Sequence, residues 1–299
     1  QERALMLTIQ DGNSLTDTIQ ALTLLKLNFD GLSEEEIQTK AQALMEQHQP
    51  MTLTKDCSQI DFQKLEIKQL YHELTEDPVS FHRELVHYFK SLEKNLETER
   101  DERYYRLLNL TLRSGLQVGD FLLLSGLIYR TSKFMQDLQG DMRERYLADY
   151  LETCALYHYY ENELNKAIKQ METLFLLKTV PNDQAIRCTY YYVAMLIAAH
   201  LPQQGNSFLS KQVKKYNELD GQPGRILLKL MLDVDEHKDI EELSLRIDRY
   251  KNEFRKAGGL KREIHCLQMI QQYLEKKPPR YKAQSFFQED WEEVLRVDL

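Results

Sequence analysis

The sequence predicts an all-α fold: an α-α superhelix, a solenoid of about seven helical hairpins with a period near 40 residues. Three observations predict it. Backbone breakers are scarce, with 11 Gly and 7 Pro in 299 residues, too few turns for a β-sandwich or barrel of this size. Apolar residues recur at intervals of three and four, as in Leu65, Ile67, Leu70, Tyr71 and Leu74, and again in Leu243, Ile247, Tyr250 and Phe254. That is the period of a helix with one buried face. Start signals for helix pairs return at a nearly constant interval. Hydrophobic residues make up 42% of the chain, enough for a large core and against wholesale disorder.

The elements follow in order. A first helix is expected over 14–28. Ser33 stands three residues before Glu36, a capping-box spacing that opens a helix over 33–47. Another covers 59–75. Asp77-Pro78 opens 78–96, with the proline in the first turn, where its missing N–H costs nothing. Breaks at Gly140-Asp141, Pro181-Asn182-Asp183, Gly221-Gln222-Pro223 and Gly258-Gly259 divide the rest. The helices expected there are 100–116, 118–138, 141–160, 163–178, 182–200, 205–219, 223–234, 238–257 and 260–276. Lys277-Pro278-Pro279 precedes a last one over 283–297, which carries Trp291. Every second start from 59 falls at 59, 100, 141, 182, 223 and 260. Regular spacing of helix pairs marks an α-solenoid, because a lone hairpin cannot bury its apolar face and stacking completes the core. Gly126, Ala167, Ser207 and Ser244 recur in one phase near the start of second helices, where small residues let helices cross closely. Residues 1–58 read as an N-terminal helical cap and 59–299 as the solenoid, continuous with it as one domain.

Within 151–178, Leu151, Cys154 and Ala155 are a large, a medium and a small residue on the first helix, and Ala167 is the small residue of the second. This hairpin resembles the tetratricopeptide repeat. His158 stands where that family prefers Tyr, and Pro181 comes two residues late for its closing proline. The resemblance implies that first helices line a concave wall that holds a peptide. On that pattern the groove side carries Asp149, Glu152, Leu156, Tyr159 and Tyr160, with Arg187 and Tyr191 one turn apart on the next first helix. These seven are the expected peptide-binding residues.

Charge and cysteines bound the function. The net charge is −8, a poor match for direct nucleic-acid binding. The balance is uneven: residues 207–282 carry 17 basic against 12 acidic groups, and 283–299 carry one against five. Cys57, Cys154, Cys188 and Cys266 lie far apart, with no zinc-type spacing, so a reducing, cytoplasmic setting is expected and neither metal nor cofactor. The apolar runs Phe121–Tyr129 and Tyr190–Leu201 are shorter than the roughly 20 residues of a membrane span, so no membrane insertion is expected. The chain begins at Gln1 rather than Met, as a piece of a longer protein would.

No nucleotide-binding or nucleophile motif occurs. His82 and His87 are five apart, about 140° around a helix, with Glu84 one place late for a zinc-protease motif; they read as surface residues. Ten tyrosines, Tyr104, Tyr105, Tyr146, Tyr150, Tyr157, Tyr159, Tyr160, Tyr190, Tyr191 and Tyr192, fall on three successive first helices. Tyr joins a rigid apolar ring to a polar tip and suits peptide recognition, though most are expected to pack between helices. The reading is therefore a non-enzymatic scaffold for a protein or peptide partner, with room for a homo-oligomer. The alternative is a ligand- or peptide-sensing regulatory domain of a larger signalling or transcription-regulatory protein.

Overall fold

The computed structural model describes residues 2–27, 32–47, 51–55, 57–99, 102–137, 140–216, 222–236, 238–257 and 261–276. The predicted helix over 283–297, with Trp291, lies outside them. The described residues form thirteen helices and no strand. They are α1 (Glu2–Leu27), α2 (Glu34–Glu46), α3 (Gln59–Leu74), α4 (Pro78–Glu99), α5 (Glu102–Val118), α6 (Phe121–Asp137), α7 (Gly140–Tyr160), α8 (Leu164–Phe175), α9 (Asn182–Ala198), α10 (Pro202–Lys215), α11 (Pro223–Asp235), α12 (Ile240–Ala257) and α13 (Lys261–Lys276). The all-α class with neighbouring helices packed on one another is the one expected. Successive hairpins open at residues 59, 102, 140, 182, 223 and 261. The predicted starts differ most at α1, which begins twelve residues earlier than expected; α10, with Pro202 as its first residue, begins three earlier and α6 three later.

The chain divides into two compact units, residues 1–136 and 137–299. In the first, α1 and α2 pack on α3, α3 on α4, and α4 on α5. Leu15, Leu22, Ile37, Ala41, Ile67 and Leu74 form one buried cluster there, so the helices before residue 58 share a core with the first hairpin. The Ser33–Glu36 capping box is present. A second one joins Ser58 to Asp61. Asp61 is buried and also accepts from the Thr54 amide (2.9 Å) and hydroxyl (2.6 Å), which pins the connection before α3. Farther on, Tyr104 and Tyr105 of α5 stack with Phe89 and Phe134. In the second unit α7 pairs with α8, α9 with α10, and α12 with α13, while α9 touches α7 and α11, and α11 touches α13.

One backbone device recurs inside four hairpins. After α3, α5, α7 and α9 a single residue takes a left-handed conformation: Glu76 (φ 54°), Gly119 (φ 75°), Asn162 (φ 64°) and His200 (φ 58°). In each turn the next amide reaches back five residues: Asp77 to the His72 carbonyl (2.9 Å), Asp120 to Gly115 (3.0 Å), Glu163 to His158 (2.8 Å) and Leu201 to Leu196 (2.9 Å). This is the Schellman closure, which satisfies carbonyls that a helix end leaves open. Gly119 and Asn162 accept this conformation readily and histidine is enriched in it, which leaves Glu76 as the unsuited type.

The small-residue phase holds in part. Ala167 is fully enclosed. In α10, however, Ser207 is exposed and the close crossing falls two residues earlier, at Gly205. A Cβ there would lie 2.6 Å from Leu232 Cδ2 of α11. Gly126 of α6 faces open space, with nothing within 4 Å of where its Cβ would be.

Candidate functional site

The expected site residues fall in the second unit, on α7 and α9, and the structure sorts them into two groups. Leu156 and Tyr191 are each 2% exposed and lie in the core. They belong to long enclosed stretches: every residue of 151–156 on α7 and of 191–197 on α9 is buried. The middle of each first helix is therefore covered all round and offers no surface. Tyr159 is also buried, edge-on to the half-buried Tyr160 with ring centroids 5.7 Å apart. Of the ten tyrosines on first helices, Tyr104, Tyr105, Tyr146, Tyr159, Tyr191 and Tyr192 are buried. Most of the aromatic wealth is core, as a ring needing a dry body and one polar contact permits.

The other group comes together. Glu152 of α7 is buried, yet Arg187 of α9 meets it with two hydrogen bonds, from Nε to Oε1 (2.7 Å) and from Nη2 to Oε2 (2.9 Å). The paired carboxylate holds the guanidinium proton more tightly than usual, against the opposing effect of burial. Gln184, absent from the expected set, donates to both Asp149 Oδ1 (3.1 Å) and Glu152 Oε2 (2.8 Å). Its amide thus spaces two carboxylates that would otherwise repel. A polar row of four side chains crosses from α7 to α9, and the Arg187 side chain keeps about a third of its surface open at 31%. Beside it, Ile186 and Tyr190 are half-buried and Asp183 is exposed, all within the first nine residues of α9. Tyr190 packs over Gly224, 3.3 Å from where a Cβ would be. Of the seven expected site residues, Asp149, Tyr160 and Arg187 are thus the ones that keep accessible surface.

A second polar centre lies on α11. Asp233 is 1% exposed. It accepts from Lys229 (2.9 Å), Lys238 and Arg246 (2.8 Å). Burial alone would raise its carboxyl; the three cationic hydrogen bonds outweigh that and hold it below the ordinary value. Asn206 of α10 extends the network, accepting from Lys229 and donating to Glu236, each at 2.6 Å. Asp233 stands next to Leu232 and Asn206 next to Gly205, so the network flanks the close crossing of α10 and α11.

In the first unit, His82 corrects the expectation of a surface residue. It is 7% exposed and joins α4 to α5 and to the start of α6. Its Nδ1 meets the Ser114 hydroxyl at 2.9 Å and its Nε2 meets Asp120 at 3.3 Å. A carboxylate only accepts, so Nε2 donates. The residue types are those of a hydrolytic trio, but Ser114 is 4% exposed and also donates to the Thr111 carbonyl (3.0 Å), which makes the group a cross-link between helices. The signal in the sequence was a polar residue on the apolar face of α4, flanked by Phe81 and Leu85.

No model of a known protein family matches the chain, and neither does any curated protein or solved structure. Among the described residues, no helix is long and apolar enough to cross a membrane.

Proposed function

We propose that the chain is a non-enzymatic binding module, a tetratricopeptide-like helical array whose second unit docks a peptide or a partner helix at the N-terminal turns of α9. The α7–α8 hairpin supports the likeness. Leu151, Cys154, Ala155 and Ala167, which carry the repeat pattern, are all buried. His158 replaces the family's Tyr and bonds Glu163 across the turn at 2.7 Å. Pro181, late for a closing proline, instead precedes the first residue of α9. Four cysteines without a disulfide suit a reducing, cytoplasmic setting.

The observation that carries the reading is the Arg187–Glu152 pair. A buried ion pair is a weak way to stabilise a fold, because desolvation offsets most of the attraction. What it supplies here is one fixed orientation for a guanidinium that still reaches solvent. A held arginine beside an aromatic ring and an aliphatic chain is the make-up of an interface hot spot. Asp149 and Asp183 bias the surroundings to negative charge, which orients a partner by its cationic groups.

The test is selection of binders from a random peptide library on the immobilised chain, followed by titration against Tyr190→Ala and Asp149→Asn. Micromolar binders that lose about tenfold or more in affinity in both variants, with thermal melting unchanged, support the site. No enrichment, or binding indifferent to both substitutions, removes it. Arg187→Ala is a poor probe, since it leaves the Glu152 carboxylate buried without its partner and costs about 3–5 kcal/mol in stability.

A further inference from the structure

Among the described residues of the first unit, α6 carries the most exposed large apolar side chains, on one stripe. Leu122 is 88% exposed and Tyr129 62% exposed. Between and beyond them, Ser125, Gly126, Arg130, Lys133 and Gln136 are exposed too. These positions step by three and four, so they form one continuous face. The middle of that face is small and self-satisfied. Gly126 opens on empty space, and the Ser125 hydroxyl turns back to the Leu122 carbonyl at 3.0 Å. Lys133 lies over the Tyr129 ring, 4.8 Å from its centroid. From 121 to 136 there is no acidic residue, and Asp120, 42% exposed, stands immediately before the helix.

We infer that this face pairs α6 with α6 of a second copy of the chain, antiparallel, about a two-fold axis passing between Ser125 and Gly126. The pattern is self-complementary in that register and in no parallel one. Tyr129 of each copy falls opposite the partner's Leu122, twice by symmetry, as an isologous interface requires. Ser125 and Gly126 lie at the crossing, where small residues let two helices close on each other. In this register Lys133 runs just past the start of the partner's α6, where Asp120 stands, so the cationic end of one helix meets the anionic start of the other. Parallel pairing would instead set Arg130 and Lys133 against their own copies. A single pair of helices buries less than the roughly 1,200–2,000 Å² of a standard stable interface, so the dimer is weak.

Sedimentation equilibrium from low micromolar to roughly millimolar concentration reads this directly. The wild type shifts from monomer to dimer across that range. Gly126→Gln adds a side chain that meets nothing in the monomer and improves helix propensity, so melting at low concentration stays or rises while the dimer weakens at least tenfold. Leu122→Glu weakens it likewise. A wild type that stays monomeric throughout overturns the inference, including the case where α6 captures an acidic amphipathic helical peptide instead. So does a dimer insensitive to both substitutions, which would form through another face.

Discussion

Gly126 and Gly205 occupy similar places in the chain, each near the start of a second helix, yet they do opposite things. At Gly205 the missing side chain lets α10 and α11 come so close that a Cβ would strike Leu232 at 2.6 Å. That approach sets Asn206 between Lys229 and Glu236 and places the Asp233 network around the crossing. At Gly126 nothing lies within 4 Å, so the chain bears the entropic cost of glycine in a helix with no packing return inside one molecule. The contrast separates a residue kept small by what touches it from one whose smallness is turned toward solvent.

Three substitutions sharpen that contrast. The largest effect belongs to Asp233→Asn, beside the Gly205 crossing. It leaves Lys229, Lys238 and Arg246 converging on a neutral group. We expect a loss of about 2–4 kcal/mol, short of the full cost of a stranded buried charge because each cation keeps access to water. Its pH dependence has a definite sign. The folded carboxyl titrates below its unfolded value of about 3.9. The contribution is therefore complete above that value and is lost as pH falls through the lower folded one. Chemical denaturation should show a constant gap between wild type and variant from about pH 5 upward, closing below about pH 4. Next comes Gly205→Ala, expected to cost about 1–3 kcal/mol, since Leu232 is fully buried and has nowhere to move. Smallest, and opposite in sign, is Gly126→Ala. Measured at low concentration, where copies do not meet, it should gain about 0.5–1 kcal/mol. Equal signs at the two glycines would erase the distinction.

Much of the architecture could be read from the residues. Apolar spacing located the helices, Ser33 with Glu36 and Asp77 with Pro78 marked two starts, and the hairpin interval survived with its individual steps redistributed. α1 was read short because its early turns lack a cap signal and carry Gly12 amid polar residues, a pattern that resembles a loop. The site was less legible. Spacing put Arg187 and Tyr191 on one face, but one turn of difference separates the open end of α9 from a stretch enclosed on every side. Periodicity reports which face of a helix is apolar. It does not report how many neighbours surround that helix. Gln184 and His82 were missed for a related reason: a polar side chain inside a core becomes intelligible only when its partners, Asp149 and Glu152 for one, Ser114 and Asp120 for the other, are brought from 32 or more residues away.

The four Schellman closures carry a last consequence. Glutamate, glycine, asparagine and histidine all serve at one geometric station, so what recurs along the chain is a backbone closure and not a letter. Glu76 holds that closure against its own preference, which means the packed helices on either side dictate it. Each elbow lies inside its hairpin, so a hairpin carries its own turn geometry whatever residue stands at the elbow.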